Sequence, residues 1–314
     1  MQILLKTWLT LIHQGKVRDT FSLPDFPDFL LVVATDRISI FDFILPALIK
    51  NKGKVLTAMT VFWLTKVFDD GVDCIDHHLI AHGSDIDEYL PAALQGNKEL
   101  QSRALIVKKL KMLDIECIVR GYLTGSGWKS YQRNSQVCGI ELLKGLHDGS
   151  KLPKAIFTPT TKAEIGHDED LDMLGVVKKY GIDVKILPLV IYQLGLDHAE
   201  ERGVIIADTK FEFGENMVLA DEVLTPDSSR FWLMKDWEKA KKKGESPAGY
   251  DKQPVREWGK TVKTPFGVTG INNLKPENVE HSKFVQDLIV PEEVLHDCSV
   301  RYQEILFILT GQNL

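Results

Sequence analysis

Residues 208–213, Asp208-Thr209-Lys210-Phe211-Glu212-Phe213, alternate charged side chains with a threonine and two phenylalanines in a way that only a β-strand sorts cleanly. Ile205, Ile206 and Ala207 lead in, Gly214-Glu215-Asn216 offers a turn, and Met217-Val218-Leu219-Ala220 supplies a second apolar arm, so the segment predicts a β-hairpin. Asp208, Lys210 and Glu212 share one face, while Thr209, Phe211 and Phe213 point to the core. The loop length decides which acid of the second arm joins them. A three-residue loop puts Glu222 on the Asp208 face, whereas a two- or four-residue loop puts Asp221 there. Carboxylates beside a lysine suit Mg²⁺ carrying nucleotide phosphates, because Mg²⁺ usually takes one or two protein carboxylates plus phosphate oxygens. The same residues could form cross-strand ion pairs on a solvated hairpin.

A chain of 314 residues buries a substantial core as one large or two moderate domains. Its formal charge of −6 and lack of a long basic block argue against nucleic-acid binding, so an anionic ligand needs a local cationic pocket. No apolar run is long enough to span a membrane. The segment Met1–Ile12 is apolar but carries Lys6 and lacks a small-residue cleavage site, so it reads as a first strand or helix and the protein as cytoplasmic. Cys74, Cys117, Cys138 and Cys298 form no CxxC pair, which predicts reduced structural thiols.

Strand-like runs occur at Phe29–Ala34 and Ala104–Lys109, with a Pro24–Asp28 turn before the first; Lys54–Phe68 has helical spacing. Asp170–Tyr180 and Val184–Glu201 read as helices, the second delayed or kinked by Pro188. Glu238–Pro254 reads as an exposed excursion, and Pro291–Thr310 as a terminal helix with an apolar stripe and Gly311 as its stop.

Four further constellations combine polar groups with glycine or a strand end. In Gly15-Lys16-Val17-Arg18-Asp19, glycine lets a backbone approach phosphates and Lys16 and Arg18 share a strand face; an ordinary hairpin turn fits the same residues. Ala34-Thr35-Asp36-Arg37-Ile38-Ser39 ends a hydrophobic strand in a charged turn, with Asp36 and Ser39 as turn formers, and Lys52-Gly53-Lys54 could offer amides to an anion. Glu116–Trp128 carries three glycines in seven positions, with Arg120 and Ser126 able to address a phosphate or carboxylate. Lys162, His167 and Asp168 lie in a polar loop before a helix.

In order, GKVRD, ATDRISIFD, NKGKVLT, ECIVRGYLTGSGW, FTPTTKAEIGHD, ADTKFEFG and DEVLTPDSSRFW closely resemble the SAICAR synthetase family, from about Gly15 to Thr310. The resemblance implies an α+β, two-lobed fold with a protein-kinase-like ATP cleft between an antiparallel-sheet N-terminal lobe, 1–113, and a larger α+β C-terminal lobe, 114–314, that includes the terminal helix. It implies an ATP-dependent ligase joining the carboxylate of carboxyaminoimidazole ribotide to the amine of L-aspartate, with Mg²⁺ as cofactor.

Carried over by motif, Gly15, Lys16 and Arg18 match the ATP-phosphate hairpin, Met112 the connector beside adenine, and Asp168 the nucleotide side of a closing loop that also holds Lys162. Glu116, Arg120, Ser126 and Arg230 match ribotide contacts, and Asp36 and Ser39 a strand-end motif near the substrate. Asp208 and Lys210 match the reacting centre, with Asp208 expected to hydrogen-bond the aspartate amine. Glu212 and Asp221 match the metal carboxylates, which favours an even-length hairpin loop.

Overall fold

The computed structural model describes residues 2–68, 75–162 and 170–314. Contacts divide the chain into two units. The first comprises Met1–Leu64, His77–Lys111 and Lys252–Leu314; the second comprises Thr65–Asp76 and Met112–Asp251.

The first unit is built on an antiparallel sheet of β1 (Thr10–Gln14), β2 (Arg18–Ser22), β3 (Phe29–Ala34), β6 (Leu79–His82) and β7 (Ala104–Lys108), in the order β1-β2-β3-β7-β6. A separate two-stranded ladder pairs β4 (Arg37–Ile40) with β5 (Phe43–Leu48). The two strands expected at Phe29 and Ala104 are neighbours, with Leu31 opposite Ile106. The N-terminal segment forms both a helix, Gln2–Trp8, and β1. Leu5, Leu9, Phe21, Leu31, Val33 and Ile106 are buried together. Each such side chain contributes about 1.5–3 kcal/mol on burial.

The helix expected from Lys54 starts at Lys52, runs to Phe62 and continues as a π-helical turn, Trp63–Val67. Its buried stripe includes Val55, Leu56 and Met59. The terminal helix, Glu292–Thr310, packs on it and on the helix Gln253–Thr261. Ser299 Oγ donates to Lys50 O at 2.8 Å. Lys252–Leu314 therefore belongs to the first unit, packed on the helix Lys52–Phe62 and the β4–β5 ladder, which cuts the chain differently from the expected division at residue 113. The apolar stripe of Cys298, Tyr302, Ile305 and Leu309 must be covered, and the helix Lys52–Phe62 supplies the cover. As expected, the helix closes at Gly311, whose φ of 72° suits glycine.

The second unit contains a six-stranded antiparallel sheet: β8 (Ile115–Leu123), β11 (Ser150–Phe157), β12 (Thr160–Thr161), β13 (Val204–Phe213), β14 (Leu219–Ala220) and β15 (Ser229–Leu233). β13 is central, paired with β8, β14 and β15. A small ribbon, β9 (Gln136–Val137) with β10 (Ile140–Glu141), lies outside that sheet. The helix Met173–Tyr180 starts later than expected because Asp172 caps it, accepting from Gly175 N at 2.8 Å. The helix Asp183–Glu200 runs through Pro188 instead of starting after it. Burial of Val184, Ile191 and Tyr192 against the sheet outweighs the hydrogen bond that proline removes.

The excursion expected at Glu238–Pro254 is only partly exposed. It begins inside the helix Met234–Lys241, and Tyr250 N–H returns to Phe231 O at 2.8 Å with Asp251 buried.

Candidate active site

Strand alternation in the second unit produces a row of ionised side chains on one face. β13 pairs with β8 so that Asp208 lies opposite Arg120 and Lys210 opposite Ile118. On its other side, Asp208 lies opposite Arg230 of β15. The Asp208 carboxylate is 5% exposed, and its Oδ2 accepts from Arg120 Nη1 at 2.8 Å and Arg230 Nη1 at 2.5 Å. Arg120 also donates from Nε to Thr158 Oγ1 at 3.0 Å and from Nη2 to Ser126 Oγ at 2.9 Å. Thr209, Phe211 and Phe213 are buried on the alternate positions, as expected.

The glycines of residues 121–127 make this arrangement possible. A Cβ at Gly125, whose φ is +58°, would lie 2.5 Å from Arg230 Nη2; a Cβ at Gly127 would lie 3.1 Å from Arg120 Cδ. Both guanidinia therefore lie close against the first turn of the helix Gly125–Asn134, which begins beside Ser126. Two guanidinium groups, a hydroxyl and a helix N-terminus form a donor set suited to a phosphate or carboxylate.

Farther along the row, Lys210 Nζ lies 2.6 Å from Glu116 Oε1 and 3.2 Å from Glu212 Oε1, while Lys162 Nζ pairs with Glu212 Oε2. Burial by itself would depress the Lys210 pKa, but Glu212, Glu116 and Asp221 more than offset it and hold the ammonium above its ordinary value. Arg230 is raised in the same way: burial opposes its charge, and Asp208 together with Asp251 and Asp148 more than compensates. For Arg120 burial is the larger influence and the shift is downward, with Asp208 opposing it.

The hairpin loop corrects the register expectation. Phe213 pairs with Leu219 and Glu212 with Ala220, so the loop Gly214–Val218 is odd in length, not even. The ladder ends at Ala220, and Asp221 takes a left-handed backbone, φ 60°, so alternation does not fix its direction. Asp221 still acts electrostatically on Lys210, while Glu222 Oε2 accepts from Thr225 Oγ1. Met112 bridges to Gly214, and Leu113 N–H donates to Phe213 O at 2.8 Å. Asp168, expected on the nucleotide side of the closing loop, and His167 beside it lie outside the described residues.

In the first unit the expected residues form a second constellation. Gly15 N–H donates to Arg18 O at 2.8 Å, closing the turn between β1 and β2. Lys16 belongs to that turn and not to a strand face shared with Arg18, the first residue of β2; its Nζ lies 2.6 Å from Asp42 Oδ1. Asp36 Oδ1 accepts from Gly53 N–H at 2.8 Å and Arg103 Nη1 at 3.1 Å. The Gly53 amide thus serves Asp36 at the helix start. Ser39 is buried opposite Ile44 in the β4–β5 ladder.

A family model for SAICAR synthetase matches residues 11–269. The chain belongs to the SAICAR synthetase family. The phosphoribosylaminoimidazole-succinocarboxamide synthase of Thermodesulfovibrio yellowstonii is 42% identical, with 96% of this chain and 95% of the relative covered. That of Schizosaccharomyces pombe is 41% identical, with 98% of each covered. A solved SAICAR synthase from Saccharomyces cerevisiae, complexed with SAICAR, superposes with a TM-score of 0.78 at 36% identity, covering 98% of this chain and 96% of that one. A structure from Ehrlichia chaffeensis, at 19% identity and TM-score 0.64, covers 97% of this chain and 100% of that one and supports the fold alone. This SAICAR synthetase is thus an α+β enzyme, an ATP-dependent ligase that forms a C–N bond to aspartate in purine biosynthesis.

Sequence reasoning on this family member left several residues without a role. Asp19, Thr35 and Arg37 stand inside quoted motifs and brace the Gly15 turn; Thr158 orients Arg120; Arg103 holds Asp36. Asp19 was the legible one. It shares the buried face of its strand with Phe21, and an inward carboxylate needs a cation.

Proposed function

We propose that the chain ligates L-aspartate to the carboxylate of carboxyaminoimidazole ribotide through an acyl phosphate. The observation that carries this reading is the single charged sheet face on which Arg120 and Arg230 meet at Asp208 while Lys210 is gripped by Glu116 and Glu212. A carboxylate is a poor electrophile, so one of its oxygens first attacks the γ-phosphorus of ATP and the bond to the ADP oxygen breaks. The aspartate amine then attacks the acyl carbon, phosphate departs with the acyl C–O electrons, and the amine loses a proton.

Charge explains why this chain supplies these residues. Both substrates and the nucleotide are anionic, so cations must offset their repulsion and stabilise the phosphoryl group in flight. We assign Arg120, Arg230 and Ser126 to the ribotide phosphate, Glu116 to the ribotide, and Lys210 and Lys162 to the transferring group. Asp208 engages both guanidinia through Oδ2, and we assign Oδ1 to the aspartate amine. Gly15, Lys16, Arg18, Met112 and Asp168 are assigned to the nucleotide, Asp36 and Ser39 to the substrate's surroundings.

The donor chemistry fits Mg²⁺. Three carboxylates, Glu116, Glu212 and Asp221, act on Lys210 while Lys162 also pairs with Glu212, so three anions against two ammoniums leave negative charge for a dication, and the described residues contain no cluster of three or more metal-binding side chains that would suggest an all-protein cage. Glu212 and Asp221 would hold it, with nucleotide oxygens completing the shell. When bound, Mg²⁺ supplies charge neutralisation at the phosphates.

The test is ADP release by the purified protein with Mg-ATP and the ribotide, with and without L-aspartate, alongside mass detection of the succinocarboxamide. ADP and product should rise together only when aspartate is present. ADP with a phosphorylated ribotide and no dependence on aspartate would replace this reading with a small-molecule kinase.

A further inference from the structure

The turn Gly15–Arg18 is held by its carbonyl oxygens. Thr35 N–H and Thr35 Oγ1 donate to Val17 O at 2.9 and 2.7 Å. Arg37 Nε donates to Lys16 O at 3.2 Å, and Arg37 Nη2 donates to Gly15 O at 3.0 Å and Arg18 O at 3.4 Å. Every carbonyl from Gly15 to Arg18 is therefore engaged by Thr35 or Arg37. The guanidinium is itself anchored, with Asp19 Oδ1 2.7 Å from Nη2 and Oδ2 3.2 Å from Nη1, and Asp19 is 3% exposed.

This pattern has an electrostatic consequence for the opposite side of the turn. A planar trans peptide carries its C=O and N–H in opposite directions, and the described chain has no cis bond. Drawing Gly15 O and Lys16 O toward Arg37 turns the N–H groups of Lys16 and Val17 the other way. Carbonyl oxygens repel an anion and successive amides attract one, so the turn becomes an anion-facing surface only while its carbonyls are held back. Gly15 allows the tight closure, since a Cβ there would sit 3.1 Å from Arg18 O. A guanidinium is suited to the task because its fork of donors spans several carbonyls and a carboxylate at once; an ammonium cannot reproduce that geometry.

We infer that Thr35 and Arg37 are positioning residues for the nucleotide, acting through the backbone of the Gly15–Arg18 turn and touching no substrate themselves. The inference rests on the assignment of that turn to the ATP phosphates. It gives Thr35 and Arg37 of the charged turn after β3 a part in the nucleotide machinery, alongside Asp36 and Ser39, which stay assigned to the substrate's surroundings.

The experiment uses the full chain with Arg37→Lys and, separately, Thr35→Val, which keeps the side-chain volume and the backbone donor. The readouts are KM for Mg-ATP, ribotide and aspartate, the melting temperature without ligand, and its shift with Mg-ADP. For Arg37→Lys, KM for Mg-ATP should rise about tenfold, as loss of several charge-assisted bonds implies, while the other two KM values stay within about twofold. For Thr35→Val the rise should be roughly two- to fivefold, in keeping with one lost hydrogen bond. In both variants the Mg-ADP shift should shrink even where the unliganded melting temperature is retained. If all three KM values hold, or all rise in parallel with a fall in melting temperature, the residues are merely structural and the inference is overturned. If Arg37→Lys does not fold, Thr35→Val decides by the same criterion. A wild-type protein that shows neither an Mg-ADP shift nor aspartate-dependent ADP release would instead overturn the underlying assignment, before any variant is compared.

Discussion

Asp208 is where two guanidinia compete for one buried oxygen, and that makes its charge measurable. Replacing it by Asn keeps the shape but leaves Arg120, 3% exposed, beside Arg230 without their shared anion. Breaking such a pair costs about 3–5 kcal/mol when both members are buried, and the partial exposure of Arg230 puts the expected loss near the lower end. Urea unfolding of Asp208→Asn should show that loss. Saturating inorganic phosphate should then stabilise the variant more than the wild type, because the anion replaces the missing carboxylate. Equal phosphate responses would mean that these guanidinia do not meet the ligand. At this scale strand alternation correctly put Asp208, Lys210 and Glu212 on one face. It could not place Asp221, because a left-handed residue just beyond the ladder breaks the period on which the reasoning depends.

Between elements, close approach explains what composition leaves obscure. Gly121 lies on β8 where the helix Asp183–Glu200 crosses: a Cβ there would sit 2.1 Å from the Tyr192 hydroxyl, which donates to Ile206 O at 2.6 Å. Gly121→Ala should destabilise by about 1–3 kcal/mol through overpacking, and Tyr192→Phe by about 1 kcal/mol through its lost hydrogen bond. In the double variant the offending oxygen is gone, so its cost should fall below the sum of the singles in a denaturant-based double-mutant cycle. Strict additivity would contradict the contact. The three glycines of residues 121–127 were visible in the sequence as an interruption. What fills the space beside two of them, the Tyr192 hydroxyl and the Arg230 guanidinium, comes from residues distant along the chain. Helix boundaries show the same limit: Asp172 as a cap delayed one start, and packing carried another helix through Pro188.

Across the whole chain, the terminal helix is the clearest case of a segment whose period was legible and whose destination was not. Ile305 is fully buried, and its helix packs on Lys52–Phe62 within the first unit. Ile305→Ala should lower stability by about 2–5 kcal/mol through the cavity it leaves. Hydrogen exchange should rise first in the helix Lys52–Phe62 and should spare β8 and β13. Loss of protection beginning in β8 or β13 would mean that the terminal helix stabilises the second unit instead. The sequence by itself determined the alternation that lines up the charged face and the apolar stripe that demands a partner, because these depend on local period and residue type, while the α+β class and the family came from the resemblance of its ordered motifs. Only the tertiary structure decided that residues 252–314 join the first unit, that the hairpin loop is odd, and that Thr35 and Arg37 hold the Gly15 turn. Those outcomes depend on which distant surfaces and donors meet, and one-dimensional spacing carries no record of that meeting.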